Sequence, residues 1–475
     1  MKIKKRLTIF IFITLIISLI LGGCSLANVR GSVQEQTTGF QNIKEKHINS
    51  KNIMQTIEEL TSEEYKGRLA GTKGNELATN YIANYFKKIG LKNPDALENY
   101  LQHYKQKVRF TYSAPELEVV TSSGETVKKY EYIKDFTVNT YSSSFSIKGE
   151  AKGEALFVQS TEKFFDYSKK YTGKILLISE SMLAREGNTN LLTSILLKDS
   201  SVGGIITEVD INKTYGSFVV GPNANPAVKF YEDRPLLFSC NSSTFKELID
   251  YSKEGHEIYI KADYAVENVE PANVIGLIEG SHKTLKDEFI IIGAHFDHVG
   301  DNKNGTYNPG ALDNASGTAV MMEIARVLKE GKYKPKKSIL FIGFNGEEEG
   351  LYGSQHYTDN PIYPLKNTTA MINLDMVGSK HIDTLTLLSY DKTNADLKGE
   401  FYQYAKNLEL KSIQAVGQGS DHSHFGAKGV SSLCLIDMDL KNGYHTPGDT
   451  IDNIDEDRIR EIAKLVLYYL DKNAF

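Results

Sequence analysis

The chain has 475 residues, 24 % of them charged and 40 % hydrophobic, a balance that excludes both a disordered polymer and a polytopic membrane protein. This length predicts two or three folding units. A formal charge of −5 argues against a partner recognised through its phosphate backbone. Three cysteines, Cys24, Cys240 and Cys434, can build neither a disulfide framework nor a thiolate zinc cluster, so any metal would be held by His, Asp or Glu.

Lys2, Lys4, Lys5 and Arg6 precede an apolar run from Leu7 to Leu21, interrupted only by Thr8, Thr14 and Ser18 and short for a mature bilayer span. Residues 1–23 read as a secretory signal. Leu21-Gly22-Gly23-Cys24-Ser25 resembles the lipobox of bacterial lipoproteins, which implies a diacylated Cys24 at the mature N-terminus and an extracytoplasmic protein anchored to the bacterial membrane; an ordinary signal peptide or an uncleaved anchor are the alternatives. Loss of residues 1–23 with their four positive charges leaves a net charge of −9. Residues 24–50, rich in Ser, Gln, Asn, Thr and Lys, read as a flexible tether.

Leu77, Tyr81, Ile82, Tyr85 and Ile89 recur at helical spacing, and Gly90 supplies a stop, so the spacing predicts an amphipathic helix over 75–89. From Val108 to Ala265 short β-rich runs alternate with Gly, Ser and Asn, which predicts a separate, mostly β domain over 108–264. After Asn273 the apolar runs Phe289–Ala294, Ile339–Phe344, Ala370–Leu374 and Ser432–Ile436 alternate with helical stretches such as Ser316–Glu330. Such runs read as buried strands of an α/β sheet covered on both faces. The Met321–Leu328 stripe reads as core, and Lys332, Lys334, Lys336 and Lys337 as a solvated turn. Cys434 and Cys240 read as separate buried thiols.

Polar clusters follow these strands, and in open α/β sheets groups at the carboxyl ends of strands converge in space. They are His295-Phe296-Asp297-His298, Asp313-Asn314-Ala315-Ser316-Gly317, Gly346-Glu347-Glu348-Glu349-Gly350-Leu351, Asp375, and Tyr444-His445-Thr446-Pro447-Gly448-Asp449. Imidazoles and carboxylates without thiolates suit zinc, cobalt or manganese in a hydrolytic role.

With Ala294–Gly300, Pro309–Gly317, Gly346–Ser354, Asn373–Gly378 and Tyr444–Pro447, the chain resembles the ordered motifs of the cocatalytic two-zinc aminopeptidases, family 28 of the metallopeptidases. The likeness reaches Lys66–Thr72, and Gly173–Ile178 is similar to a protease-associated domain. The resemblance implies a three-layer α/β/α sandwich with a mostly parallel mixed central sheet, formed by residues 51–107 and 265–475, with a β-rich protease-associated domain inserted at 108–264. It also implies two Zn2+ ions, with Co2+ or Mn2+ as alternatives. His295 and Asp375 would bind one ion, Glu348 and His445 the other, and Asp313 would bridge both. Two metals can share a water and clamp both oxygens of a tetrahedral intermediate. Glu347 would be the general base; the register Glu-Glu-x-Gly-Leu-x-Gly-Ser makes Glu349 the variable residue.

Asp297 and Asp449 are candidates to hold the far imidazole N–H of His295 and His445, Asp449 being equally a turn cap. Tyr444 resembles an oxyanion-binding tyrosine of some members, with a core tyrosine as the alternative. Asp421 and His422 resemble a segment lining the substrate pocket. His298 reads as a buried, hydrogen-bonded histidine and His424 as structural. A free α-amino group would be held by Glu347 and Asp375. The resemblance thus implies an aminopeptidase acting on peptides. A single-zinc glutaminyl cyclase and a non-catalytic peptide-binding lipoprotein are the rival readings.

Overall fold

A computed structural model describes residues 40–139, 147–158, 171–182, 202–209, 235–391 and 395–475; the signal, Cys24 and residues 25–39 of the expected tether lie outside these residues. In chain order come helices α1 (Ser50–Leu60) and α2 (Lys73–Ile89), then strands β1 (Leu101–His103), β2 (Gln106–Val120), β3 (Thr126–Lys129), β4 (Phe136–Asn139), β5 (Ile147–Phe157), β6 (Ile175–Ile178), β7 (Gly204–Glu208) and β8 (Leu236–Cys240). Helix α3 (Ser242–Lys253) leads to β9 (Glu257–Val269), β10 (Ala272–Ile278) and β11 (Phe289–His295). The rest is α4 (Gly317–Glu330), β12 (Ser338–Phe344), α5 (Tyr352–Asp359), β13 (Thr368–Asp375), β14 (Leu385–Ser389), α6 (Ala395–Asn407), β15 (Ser412–Val416), α7 (His422–Ala427), β16 (Ser432–Ile436) and α8 (Glu456–Asn473).

The main sheet has eight strands in the order β1-β10-β12-β11-β13-β16-β14-β15. Its centre is parallel: β11 lies between β12 and β13, and β13 pairs with β16 in the same sense. Every residue of β11 and β12 is buried, because helices cover both faces. Ile290, Ile292 and Ala294 face a core shared with α1, α2, α4 and α8, whereas Phe289 and Ile291 face Tyr357 of α5 and Phe425 of α7. This alternation along one strand is the period-two pattern of a sheet with two apolar faces. Each fully buried Ile or Leu adds about 1.5–3 kcal/mol relative to exposure.

A second eight-stranded sheet, in the order β3-β2-β9-β5-β6-β7-β8-β4, arises between Gln106 and Val269. It is mixed, with β5, β6, β7 and β8 successively parallel and the long pair β2/β9 antiparallel. Phe136, Phe238, Ile258 and Ile260 build its own core.

Residues 40–49 do not continue the expected tether. The buried Asp471 carboxylate accepts the backbone N–H groups of Gln41 (2.8 Å), Asn42 (2.6 Å) and Ile43 (2.7 Å), and Ile43 and Ile48 join the main core. Two isolated isoleucines in a polar stretch show no period, and the clamp that orders them lies more than 400 residues away in sequence. The predicted helix is α2, begun two residues earlier by the Thr72 hydroxyl, which accepts the Asn75 N–H, and stopped by Gly90 at φ 78°.

Candidate metal centre

The parallel strands deliver their last residues to one place. His295 ends β11, Asp375 ends β13, and the chain leaving β12 turns at Gly346 to present Glu347 and Glu348. Asp313 comes from the turn before α4, and His445 from the loop between β16 and α8. Gly310 at φ 63° makes the turn before Asp313 possible, since a Cβ there would lie 2.6 Å from the His298 ring and 2.4 Å from the Asp313 carbonyl.

His295 Nε2 lies 3.4 Å from both Asp313 Oδ1 and Asp375 Oδ1. His445 Nε2 lies 2.9 Å from Asp313 Oδ2 and 3.1 Å from Glu348 Oε2. Donor atoms bound tetrahedrally to zinc at ~2.0–2.1 Å stand about 3.3 Å apart, so these spacings match the edges of a coordination polyhedron. His295, Asp313 and Asp375 form one group able to hold an ion, and Asp313, Glu348, His445 and His298 another. Asp313 belongs to both. The donor chemistry suits zinc, and the far nitrogens of these histidines (His295 Nδ1, His298 Nε2 and His445 Nδ1) have no hydrogen-bond partner among the described residues.

All five ligand candidates are buried. Burial disfavours the Asp313 carboxylate, yet hydrogen bonds from His295 and His445 hold it well below its usual range. Burial lowers the basicity of His445, but Glu348 and Asp313 outweigh it and carry the imidazole up to about 10. His295 is raised in the same way by Glu347 and Asp375 against burial. The carboxylates thus raise the proton affinity of the imidazoles they face.

Glu347 is half-buried at the edge of this cluster. Burial raises its pKa well above the usual carboxylate value; the His295 charge opposes this, and Glu348 and Asp375 add to it. The Tyr444 ring stacks on His445 with 3.8 Å between centroids, and burial followed by the nearby carboxylates keeps its hydroxyl protonated.

The aspartates expected behind the imidazoles also hold backbone groups. Asp297 accepts the backbone N–H of Glu347 (3.2 Å) and Glu348 (3.3 Å), leaving His295 Nδ1 3.7 Å from its Oδ1, beyond hydrogen-bond range. Asp449 accepts the N–H of Leu312 (2.9 Å) and Asp313 (3.0 Å), which makes it a turn cap. Both carboxylates are spent on the backbone that carries a ligand. His298 is buried and bonded through Nδ1 to Glu348 Oε1 at 2.8 Å. Glu349 is buried against the second sheet, with its carboxyl pushed up to about 8 by burial against the opposing charge of Arg109.

Asp421 and His422 are fully buried. Neither Asp421 carboxylate oxygen has a hydrogen-bond partner among the described residues, and burial raises its pKa to about 7. His422 Nε2 meets the Gly417 carbonyl at 3.0 Å. His424 Nδ1 pairs with Ser354 Oγ at 3.1 Å. Cys240 and Cys434 are buried free thiols.

Two supporting residues take roles that the sequence did not assign them, although Ser420 begins the Ser420-Asp421-His422 segment that resembles a substrate-pocket lining. Ser420 donates its hydroxyl to Asp375 Oδ2 at 2.5 Å and accepts from Asn373 Nδ2 at 2.7 Å. Arg68, fully buried, donates to the carbonyls of Phe296 (2.7 Å), Leu60 (3.1 Å), Pro309 (2.5 Å) and Gly310 (2.6 Å). Its guanidinium therefore ties the His295 loop to the Asp313 turn. Its position inside the Lys66–Thr72 motif was the available signal.

The model of peptidase family M28 matches residues 273–470. Aminopeptidase YwaD of Bacillus subtilis (strain 168) is 34 % identical over 212 residues, covering 42 % of this chain and 44 % of that protein. The chain spans less than half the length of the first curated relatives it matches. A probable leucine aminopeptidase of Trichophyton verrucosum is 30 % identical over 268 residues, covering 53 % of this chain and 69 % of its own. Among solved structures, the aminopeptidase from Aneurinibacillus sp. strain AM-1 superposes with a TM-score of 0.64 at 24 % identity, covering 90 % of this chain and 95 % of that one. The shared motifs, the shared fold and the match across the whole main sheet from Asn273 onward place the chain in peptidase family M28.

Proposed function

We propose that the chain is an extracytoplasmic, lipid-anchored metallo-aminopeptidase that removes N-terminal residues from peptides at a two-zinc site. The observation that carries this reading is the sharing of Asp313 between the His295–Asp375 and Glu348–His445 groups, with Glu347 alongside. The names of the relatives support the activity, and the lipobox supports the location.

Bound zinc would supply Lewis acidity to the scissile carbonyl and lower the pKa of a water towards neutrality. The chain's own residues do the rest. Glu347, held by its backbone N–H on Asp297, takes the proton from the attacking water and returns it to the leaving amine. The protonated Tyr444 hydroxyl is a donor for the developing oxyanion. Glu347 and Asp375 receive the substrate ammonium, which sets the requirement for a free N-terminus. A cleft of about 980 Å³ runs from Thr446 and Pro447, just beyond His445, to Ser113–Glu116 and Lys129–Lys134 of the second sheet. This cleft supports the reading that the inserted domain, protease-associated by resemblance, borders the path of the peptide and restricts entry to extended chains.

Hydrolysis of aminoacyl-anilides, free and N-acetylated, tests this directly, with metal content measured on the same protein. Two zinc ions per chain and loss of turnover on N-acetylation are expected; turnover that survives acetylation overturns the aminopeptidase reading, and a single ion overturns the two-metal one.

A further inference from the structure

The end of the molecule opposite the metal centre carries an unbalanced charge. β11 and β12 run in parallel from Phe289 and Ser338 up to the site, so their starting ends form a base about 20 Å below it, at ~3.3 Å per residue. Four segments interlock there. Ser281 donates its N–H to the Pro335 carbonyl (2.8 Å), Lys336 to that of Ala474 (2.6 Å), and Lys44 to the Tyr333 hydroxyl (2.8 Å). Asp471 clamps Gln41, Asn42 and Ile43 against α8.

Lys44, Lys46, Lys286, Lys332, Lys334 and Lys336 all project from these segments, all are exposed, and none has an ion pair among the described residues. The neighbouring acids are already used: Glu45 pairs with Lys464 (2.9 Å) and Glu288 with Lys337 (3.0 Å). Asp287 remains exposed among the lysines. A lysine surplus on one face of a chain that is acidic overall is not what a uniformly solvated surface would give. Phe40, the first described residue, also lies on this face with its ring against Tyr468 of α8, and the fifteen residues that separate it from Cys24 in sequence can span at most about 50 Å.

We propose that this lysine-rich base is a membrane-docking surface that binds the anionic headgroups of the bilayer holding the lipid anchor, and so turns the metal centre away from the membrane towards the medium. The inference rests on the lipid anchor proposed above for the direction of approach. Its physical basis is the attraction of basic side chains to a negative surface, which adds roughly fivefold in partitioning per lysine and decays within a Debye length.

The chain from Ser25 onward, which keeps the whole unit Phe40–Phe475 and has no acyl group, is mixed with vesicles of phosphatidylcholine containing increasing phosphatidylglycerol. Binding should rise with the anionic fraction and disappear in ~0.5 M salt, where the screening length is only a few ångströms. The triple variant Lys332→Gln, Lys334→Gln, Lys336→Gln should bind ~100-fold more weakly while hydrolysing aminoacyl-anilides at an unchanged rate. Binding independent of phosphatidylglycerol, or equal in the triple variant, overturns the proposal, as does binding to soluble polyphosphate without binding to vesicles. Acylation of Cys24, read by mass on full-length protein extracted from membranes, is a separate result: its absence would refute the anchor and leave the vesicle outcome standing.

Discussion

Asp297 holds Glu347 by its backbone: the carboxylate accepts the Glu347 N–H at 3.2 Å and the next one, of Glu348, at 3.3 Å. One buried side chain thus sets the height of both the proposed base and a metal ligand. Asp297→Asn places an amide N–H2 against one of these N–H groups. Turnover should fall by about 10–100-fold, the scale seen when a group orienting ligands is lost, with the metal retained at saturating concentration. Wild-type kcat in Asp297→Asn would show that the bonds are dispensable.

Glu347→Gln keeps size and removes the base. A loss of about 10²–10⁴-fold in kcat is expected, the usual contribution of a positioned base, with bound zinc unchanged by elemental analysis. Undiminished kcat would assign the proton transfer to another group.

Arg68 donates to five backbone carbonyls, that of Asp313 among them, from a fully buried position. Burial lowers its pKa to about 10, against the attraction of Asp449, Asp313 and Asp297, so it stays charged at neutral pH. Arg68→Met leaves these acceptors without donors and should cost about 3 kcal/mol or more, the scale for breaking a buried charged network. Arg68→Lys keeps charge but not the fork, and should recover only part of the loss in denaturant midpoint.

His422 gives a pH signature. Burial lowers its pKa from 6.5 to about 4, with the Gly417 carbonyl and Asp375 opposing. The folded state therefore keeps it neutral while the unfolded chain takes up a proton below pH 6.5. Stability from this group is present above that value and is lost as pH falls through about 4, a span worth about 3 kcal/mol. In His422→Gln, the fall in unfolding free energy between these pH values should be smaller than in the wild type. Equal slopes would show that His422 is accommodated charged.

The central strands and the site were legible for the same reason. Runs such as Phe289–Ala294 and Ser432–Ile436 are apolar because both faces of the sheet are covered, and a polar residue that abruptly ends such a run, as His295 does, has reached the open end of the sheet. What could not be read was the use of a carboxylate once its neighbours are folded. Asp297 and Asp449 lie at spacings that suit an imidazole partner, but the turns they face expose backbone N–H groups, and these lie closer. Ser420 was visible only as part of a segment expected to line a pocket, because nothing local links it to Asp375. Edge strands were also hidden: β15 exposes Ile413 and Val416, so its pattern resembles a solvated loop.

The Asp471 clamp has a consequence for proteolysis at the start of the described fold. Three backbone N–H groups enter one buried carboxylate, so residues 41–43 are held to α8 through their backbone. Asp471→Ala would let these first described residues peel away and expose Ile43 to a protease that leaves the wild-type segment uncut.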